Sequence, residues 1–140
     1  MHIDRHGTWH YQGSPIERKE LVKLFSKILR RDHGGDHWLI TPAEIAHVHV
    51  DDAAHVVVAM DIKGIGSNQI IYFQTMVDTI YALSETYPLR IEMNMETQEP
   101  APYLVLDQGL EAKLNRSVFI DLANLAIEKE IEGGLVFGIW

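Results

Sequence analysis

Eight histidines and no cysteine define the side-chain chemistry open to this chain. Without thiols there are no disulfides, thiolate metal sites or cysteine nucleophiles. His47, His49 and Asp51 alternate along an apolar segment, so an extended strand puts all three on one face. Imidazole and carboxylate are competent ligands for zinc and related ions. Same-face neighbours on one strand sit roughly 6–7 Å apart, however, so three from a single strand close around one ion only if the strand bends. The segment His33-Gly34-Gly35-Asp36-His37 reads as a turn. His2, His6 and His10 have helical spacing, but Gly7 and Trp9 oppose a helix there, and the spacing reads as coincidence. No metal or other cofactor is expected.

Nucleophile and phosphate motifs are equally sparse. Ser14, Ser26, Ser67, Ser84 and Ser117 lack the context of a nucleophile elbow. Gly64-Ile65-Gly66-Ser67-Asn68 is not followed by the Gly-Lys-Ser/Thr of a phosphate-binding loop, and a tight hairpin accounts for its two glycines. What remains are polar residues at or beside the ends of apolar strands: Thr41, Glu44, Thr75, Asp78 and Arg90. A guanidinium such as that of Arg90 holds a phosphate or carboxylate bidentately, and Trp9 and Trp38 offer flat faces to a ring. With Arg18 from the basic run, these form the expected ligand-binding set. Each has a plainer reading too, with Arg90 paired to Asp78 or Glu92 and the tryptophans filling a core.

The net charge of −8 is uneven. Residues 1–50 hold seven Lys/Arg against six Asp/Glu, whereas residues 51–140 hold five against fourteen. An acidic chain repels phosphodiester backbones, so a nucleic-acid polymer is not an expected partner. The local exception is Arg18, Lys19, Lys23, Lys27, Arg30 and Arg31, which read as the solvated face of a helix. No apolar run is long enough to span a bilayer, and Met1-His2-Ile3-Asp4 lacks a signal peptide's apolar core. The expected location is the cytoplasm, with no membrane partner.

Periodicity supplies the elements that position these groups. His2 to Gln12 reads as a strand or hairpin broken at Gly7. Ser14-Pro15-Ile16-Glu17 reads as a capped helix start, and Leu21, Val22, Leu24, Phe25, Ile28 and Leu29 mark one face of a helix near 17–31. Trp38 to Thr41 and Glu44 to Val50 are expected strands. His55 to Ile62 and Gln69 to Val77 read as a hairpin buried on both faces, and Leu89 to Glu96 as a strand with one wet face. A second helix is expected from Asn115 to about Glu132, then a closing strand over Val136 to Ile139. Landmarks also recur. Gln12-Gly13, Arg18, an apolar stretch, Gly34-Gly35 and Trp38-Leu39-Ile40 are echoed by Gln108-Gly109, Arg116, an apolar stretch, Gly133-Gly134 and Phe137-Gly138-Ile139. Such a repeat implies two related lobes sharing an interface.

Taken in order, several short motifs resemble a bacterial family, the domain-of-unknown-function family 1285. They include Ile3-Asp4-Arg5-His6-Gly7-Thr8-Trp9, Gly13-Ser14-Pro15-Ile16 with Arg18, Thr41-Pro42-Ala43-Glu44 and Val50-Asp51-Asp52-Ala53. Gln69 with Phe73 and Thr75, Asp78, Pro88-Leu89-Arg90, Pro102-Tyr103, Gly109-Leu110 and Arg116-Ser117-Val118-Phe119 continue the match. The resemblance implies a duplicated α+β core, with lobes over residues 1–53 and 54–140. Each lobe then carries antiparallel strands and one helix, and the C-terminal lobe is superficially similar to pleckstrin-homology-like domains. It also implies a ligand site at the lobe interface for a small anionic, nucleotide-like molecule in signalling. No activity comes with it, and the chain has no recognisable catalytic motif. The expectation is a non-enzymatic ligand-binding or signalling module. The alternatives are a hydrolase with Glu44 or Asp78 as general base, or a protein-interaction module using an open sheet edge.

Overall fold

The computed structural model describes residues 1–64, 68–93 and 95–133, with side chains as far as Ala126. The first lobe runs β1 (His2–Ile3), β2 (Trp9–Tyr11), β3 (Ser14–Pro15), α1 (Lys19–Ile28), β4 (Leu29–Arg31), β5 (His37–Ile40) and β6 (Ile45–Val50). The second runs β7 (His55–Lys63), β8 (Ile70–Thr75), β9 (Ile80–Ala82), β10 (Leu89–Met93), β11 (Pro100–Val105), β12 (Glu111–Leu114) and α2 (Arg116–Gly133). Each lobe builds one six-stranded sheet, ordered β3-β2-β1-β6-β5-β4 and β10-β11-β12-β7-β8-β9. These orders are the same once each lobe is counted from its own first strand. In both, two antiparallel meanders meet through one parallel pair, β1 with β6 and β7 with β12. The protein is α+β, with two similar lobes.

The repeated Gln-Gly landmark has a conformational cause. Gln12 and Gly13 have φ of 51° and 83°, and Gln108 and Gly109 have φ of 64° and 74°. Two successive left-handed residues give a turn whose twist matches a hairpin, and glycine adopts that conformation without strain. Each turn leads into a short strand and then a helix, β3 to α1 and β12 to α2, but β3 is the third strand of its lobe and β12 the sixth of its own, so the repeated landmarks and the two helices do not fall at equivalent places in the duplicated sheets. The final landmark, Phe137-Gly138-Ile139, and the expected strand over 136–139 lie outside the described residues.

The helix start differs from the expected one. Ser14 and Pro15 do not cap α1; they pair with Tyr11 and His10 of β2, and the Ile16 N–H donates to the Trp9 carbonyl at 2.8 Å. Sheet pairing has taken the backbone groups that a capping box needs, so α1 begins at Lys19 with no side-chain cap at Arg18. It also stops early, because Leu29–Arg31 joins β5. Leu24 is 55% exposed, contrary to its place on the expected core face, and Phe25 is half-buried. The second helix starts as expected, with the Val118 N–H donating to Asn115 Oδ1 at 2.9 Å. The β7–β8 hairpin is not buried on both faces: Val56, Val57, Ile71, Phe73 and Thr75 are buried, while Val58 and Ile70 are exposed. Edge strand β10 leaves Ile91 and Met93 about half exposed, so neither of its faces is dry.

One apolar core runs through both lobes, joining Ile3, Trp9, Leu29, Leu39 and Val48 to Val57, Phe73, Leu104, Leu114 and Leu122. The chain segment between the lobes is tied down at each step. The Asp51 N–H donates to the Ile3 carbonyl, Asp52 accepts from Tyr103 Oη at 2.6 Å and Lys113 Nζ at 2.8 Å, and Ala53 and Ala54 are buried. Gly7, in the β1–β2 turn, marks a close approach of the lobes. Its φ is +86°, and a Cβ there would lie 2.7 Å from Met76 Sδ and 2.8 Å from Val56 Cγ2. Gly7→Ala therefore combines a left-handed backbone with overpacking, and chemical denaturation is expected to show a loss of about 1–3 kcal/mol. A loss within about 0.5 kcal/mol, normal for a surface change, would mean the lobes do not pack tightly at this turn.

Candidate functional site

A cleft of about 340 Å³ opens between the C-terminal half of α1 and the second sheet. Sequence amphipathicity explains one wall. Val22, Phe25 and Ile28 pack on the core, which turns the lysines of the same helix toward its flanks. Lys19 and Lys23 reach across the lobe boundary to Asp78 Oδ2 at 3.0 and 2.8 Å. One turn further on, Ser26, Lys27 and Arg30 line the cleft. Arg30 Nη1 donates to the carbonyls of Lys27 and Leu29 at 3.0 and 2.8 Å, satisfying acceptors that a helix end leaves open. Ser26 is buried, and its hydroxyl donates to the Lys23 carbonyl.

The second lobe supplies the opposite wall from His55, Thr75, Val77, Thr79, Tyr81, Leu106, Asp107, Gln108 and Leu110. Asp78 stands at the β8–β9 turn, between two of these residues, in the left-handed conformation that aspartate tolerates. Its two lysine partners hold its pKa down to about 2, so it is a weak base. His55 is packed in by its surroundings, and burial, with His37 nearby, pulls its imidazole down to about 4. His37, on β5 of the first lobe, is itself buried and shifted down by burial and by the Arg31 charge. Burial raises Tyr81, with Tyr87 and Asp107 adding to the effect. At neutral pH His55 and Tyr81 are thus uncharged; the positive charge of the cleft sits on the α1 wall, and the opposite wall carries the Asp107 carboxylate, which accepts from Tyr87 Oη at 3.0 Å.

A second depression, of about 510 Å³, also straddles the lobes and is lined by Arg31, Arg90, Glu92, Val105, Gly109 and Glu111. Its cations are engaged. Arg90 donates to Glu111 at 2.6 and 3.0 Å and to Glu92 at 3.2 Å, and its guanidinium lies 4.5 Å from the Tyr103 ring centroid. Arg31 donates to the Gly109 carbonyl at 3.2 Å and lies 3.7 Å from Glu111. We therefore regard the smaller cleft as the better site, despite its volume.

The eight residues singled out from sequence do not converge. Thr75, 1% exposed, lines the cleft and Asp78 lies at its edge, while Arg90 belongs to the second depression. Trp9 is 3% exposed and stacks on Phe25 at 6.0 Å, so the core occupies its ring face. Trp38 donates to Asp32 at 3.0 Å and meets the His47 ring edge-on at 4.9 Å. Thr41 and Glu44 close the β5–β6 turn on each other, and Arg18 is exposed at the start of α1. Sequence reasoning passed over Lys27, Arg30, His55 and Tyr81. The basic run was visible; which of its members face the other lobe depends on tertiary packing.

The His55 shift fixes the sign of one pH effect. Above about pH 6.5 the imidazole is neutral folded or unfolded. Between that value and about 4 the unfolded chain takes up a proton that the folded protein refuses, so stability falls as pH falls through this window. The melting temperature of His55→Asn is expected to drop less than that of the parent between pH 6.5 and 4.5. The His55 imidazole resonance should also stay at its neutral position down to pH 5. Titration near pH 6.5 would contradict this account.

Two family models match the chain, one after the other. Residues 1–53 match the N-terminal domain of a family described as a domain of unknown function, DUF1285, and residues 54–140 match the C-terminal domain of the protein of unknown function DUF1285. The crystal structure of a DUF1285 family protein from Silicibacter pomeroyi DSS-3 is 42% identical with a TM-score of 0.82, covering 89% of this chain and 68% of that one. A second, from Shewanella baltica OS155, is 26% identical with a TM-score of 0.68, covering 88% and 89%. No curated protein matches the chain.

Proposed function

The chain belongs to the DUF1285 family, and from that premise we propose that it binds a small anionic molecule in the cleft between α1 and the second sheet. One observation carries this reading. Lys19, Lys23, Arg31 and Arg90, the cations beside the cleft and in the second depression, all have carboxylate partners. Lys27 and Arg30, which line the cleft, have none within ion-pair distance among the described residues. A cation pair beside a neutral imidazole and the hydroxyls of Thr75, Thr79 and Tyr81 suits a phosphate or carboxylate carried on a compact polar body. The volume of about 340 Å³ is near the low end for ligand pockets and favours a mononucleotide-sized molecule over a dinucleotide. Thr75 and Asp78 are the members of the sequence-derived set that this proposal keeps. Because both lobes build the walls, binding would couple them. That suits a sensing role in signalling, and a pleckstrin-homology-like use of the second lobe belongs to the same proposal.

The hydrolase alternative has weaker support. Asp78 is held near 2 and Glu44 sits in an exposed turn that does not line the cleft, so neither is placed to accept a proton there. A thermal-shift panel of inorganic phosphate, purine and pyrimidine mononucleotides and dicarboxylates tests the proposal, since a ligand bound only to the folded state raises the melting temperature. At least one anion is expected to do so. Lys27→Ala with Arg30→Ala is expected to weaken it at least tenfold, about 1.4 kcal/mol, with little change in the unliganded melting temperature. No shift across the panel, or equal binding by the double variant, would reject the cleft as an anion site.

A further inference from the structure

The parallel pairing of β1 with β6 builds a histidine row that no single strand contains. His2 is in register with His49 on one side and with His10 on the other, so three imidazoles sit side by side across β2, β1 and β6. The His2 ring lies 5.4 Å from His10, stacked, and 5.3 Å from His49, tilted. Asp51, two residues beyond His49, shares its face. Its Oδ1 is 2.8 Å from His2 Nε2 and 3.2 Å from His49 Nε2.

We propose that His2, His49 and Asp51 form a binding site for a divalent transition ion of the zinc type, with the remaining coordination positions open to water. Each residue offers one ligand atom, and these atoms all lie within 4.8 Å of one another. Two ligand atoms on a zinc-sized ion stand about 3.4 Å apart in a tetrahedral shell and at most about 4.2 Å. The two carboxylate–imidazole distances, 2.8 and 3.2 Å, are shorter than this and must open slightly, while the imidazole pair lies within 4.8 Å; small ring rotations do both, and the His49 side chain, 70% exposed, is free to make them. The second observation concerns His2 Nε2. This atom is buried and makes no aligned hydrogen bond among the described residues, although a carboxylate oxygen is only 2.8 Å away. Close approach without alignment is the relation between two ligands that both point at a third atom. His10 shows the contrast, because its Nε2 makes a proper hydrogen bond to Asp4 Oδ2 at 2.9 Å and is thereby occupied.

Two imidazoles and one carboxylate suit zinc, cobalt or nickel and not magnesium or calcium, which prefer all-oxygen shells. The bound ion would clip β1 to β6, far in function from the anion cleft, and it does not depend on the reading given for that cleft. Zinc titration by calorimetry on the untagged full chain at pH 7.5 tests it. One zinc per chain is expected, weakened at least tenfold in His49→Ala and in Asp51→Asn, unchanged in His33→Ala, and without a magnesium response. Both substitutions are at exposed side chains, and circular dichroism checks that each variant folds. Absence of zinc binding, retention of full affinity in either ligand variant, or equal loss in His33→Ala would overturn the site.

Discussion

The first and last strands of each lobe lie side by side and run the same way. Parallel neighbours cannot be joined by a tight turn; the chain between them must cross over. In each lobe that crossover consists of the remaining strands, folded into a meander on either side of the central pair, with α1 joining the two meanders of the first lobe. Much follows from this single constraint. It sets His2 beside His49 in the first sheet and Ala112 beside His55 in the second, so both histidine environments are products of closure. It also brings the end of the first lobe next to its beginning, and Asp51 can then enter the second lobe while still bonded to Ile3.

Charge and apolar burial divide the work of holding the lobes together. The ion pairs across the boundary, from Lys19 and Lys23 to Asp78 and from Arg31 to Glu111, are substantially exposed, and such pairs contribute about 0–1 kcal/mol each. Burying one leucine or phenylalanine contributes about 1.5–3 kcal/mol. Trp9, Leu29, Phe73 and Leu104 in one continuous cluster therefore outweigh the rim of charges. The pairs act chiefly on orientation: with Lys19 and Lys23 committed to Asp78, the basic helix keeps Lys27 and Arg30 for the cleft.

Sequence legibility followed physical range. Local signals survived: the Gln-Gly turns, the Asn115 cap and the β7–β8 hairpin all appear where periodicity and turn chemistry place them. Signals that compete with pairing did not. Ser14-Pro15 has the composition of a helix start but lies against β2, and Leu29 continues a helical stripe yet belongs to a strand. The histidines show the limit most clearly. His2, His6 and His10 looked accidental and His47, His49 and Asp51 too extended, because the partner that matters for His49 comes from forty-seven residues away across a parallel register. Periodicity along one strand carries no information about its neighbour.

The short connection at residues 51–54 gives the molecule an unusual resistance to being divided. Proteases ordinarily find the boundary between two lobes, because that segment is exposed and can be drawn out into an active site. Here Ala53 and Ala54 are buried and Asp52 is held by both a tyrosine and a lysine of the second sheet. Cutting requires that the second sheet first release its grip.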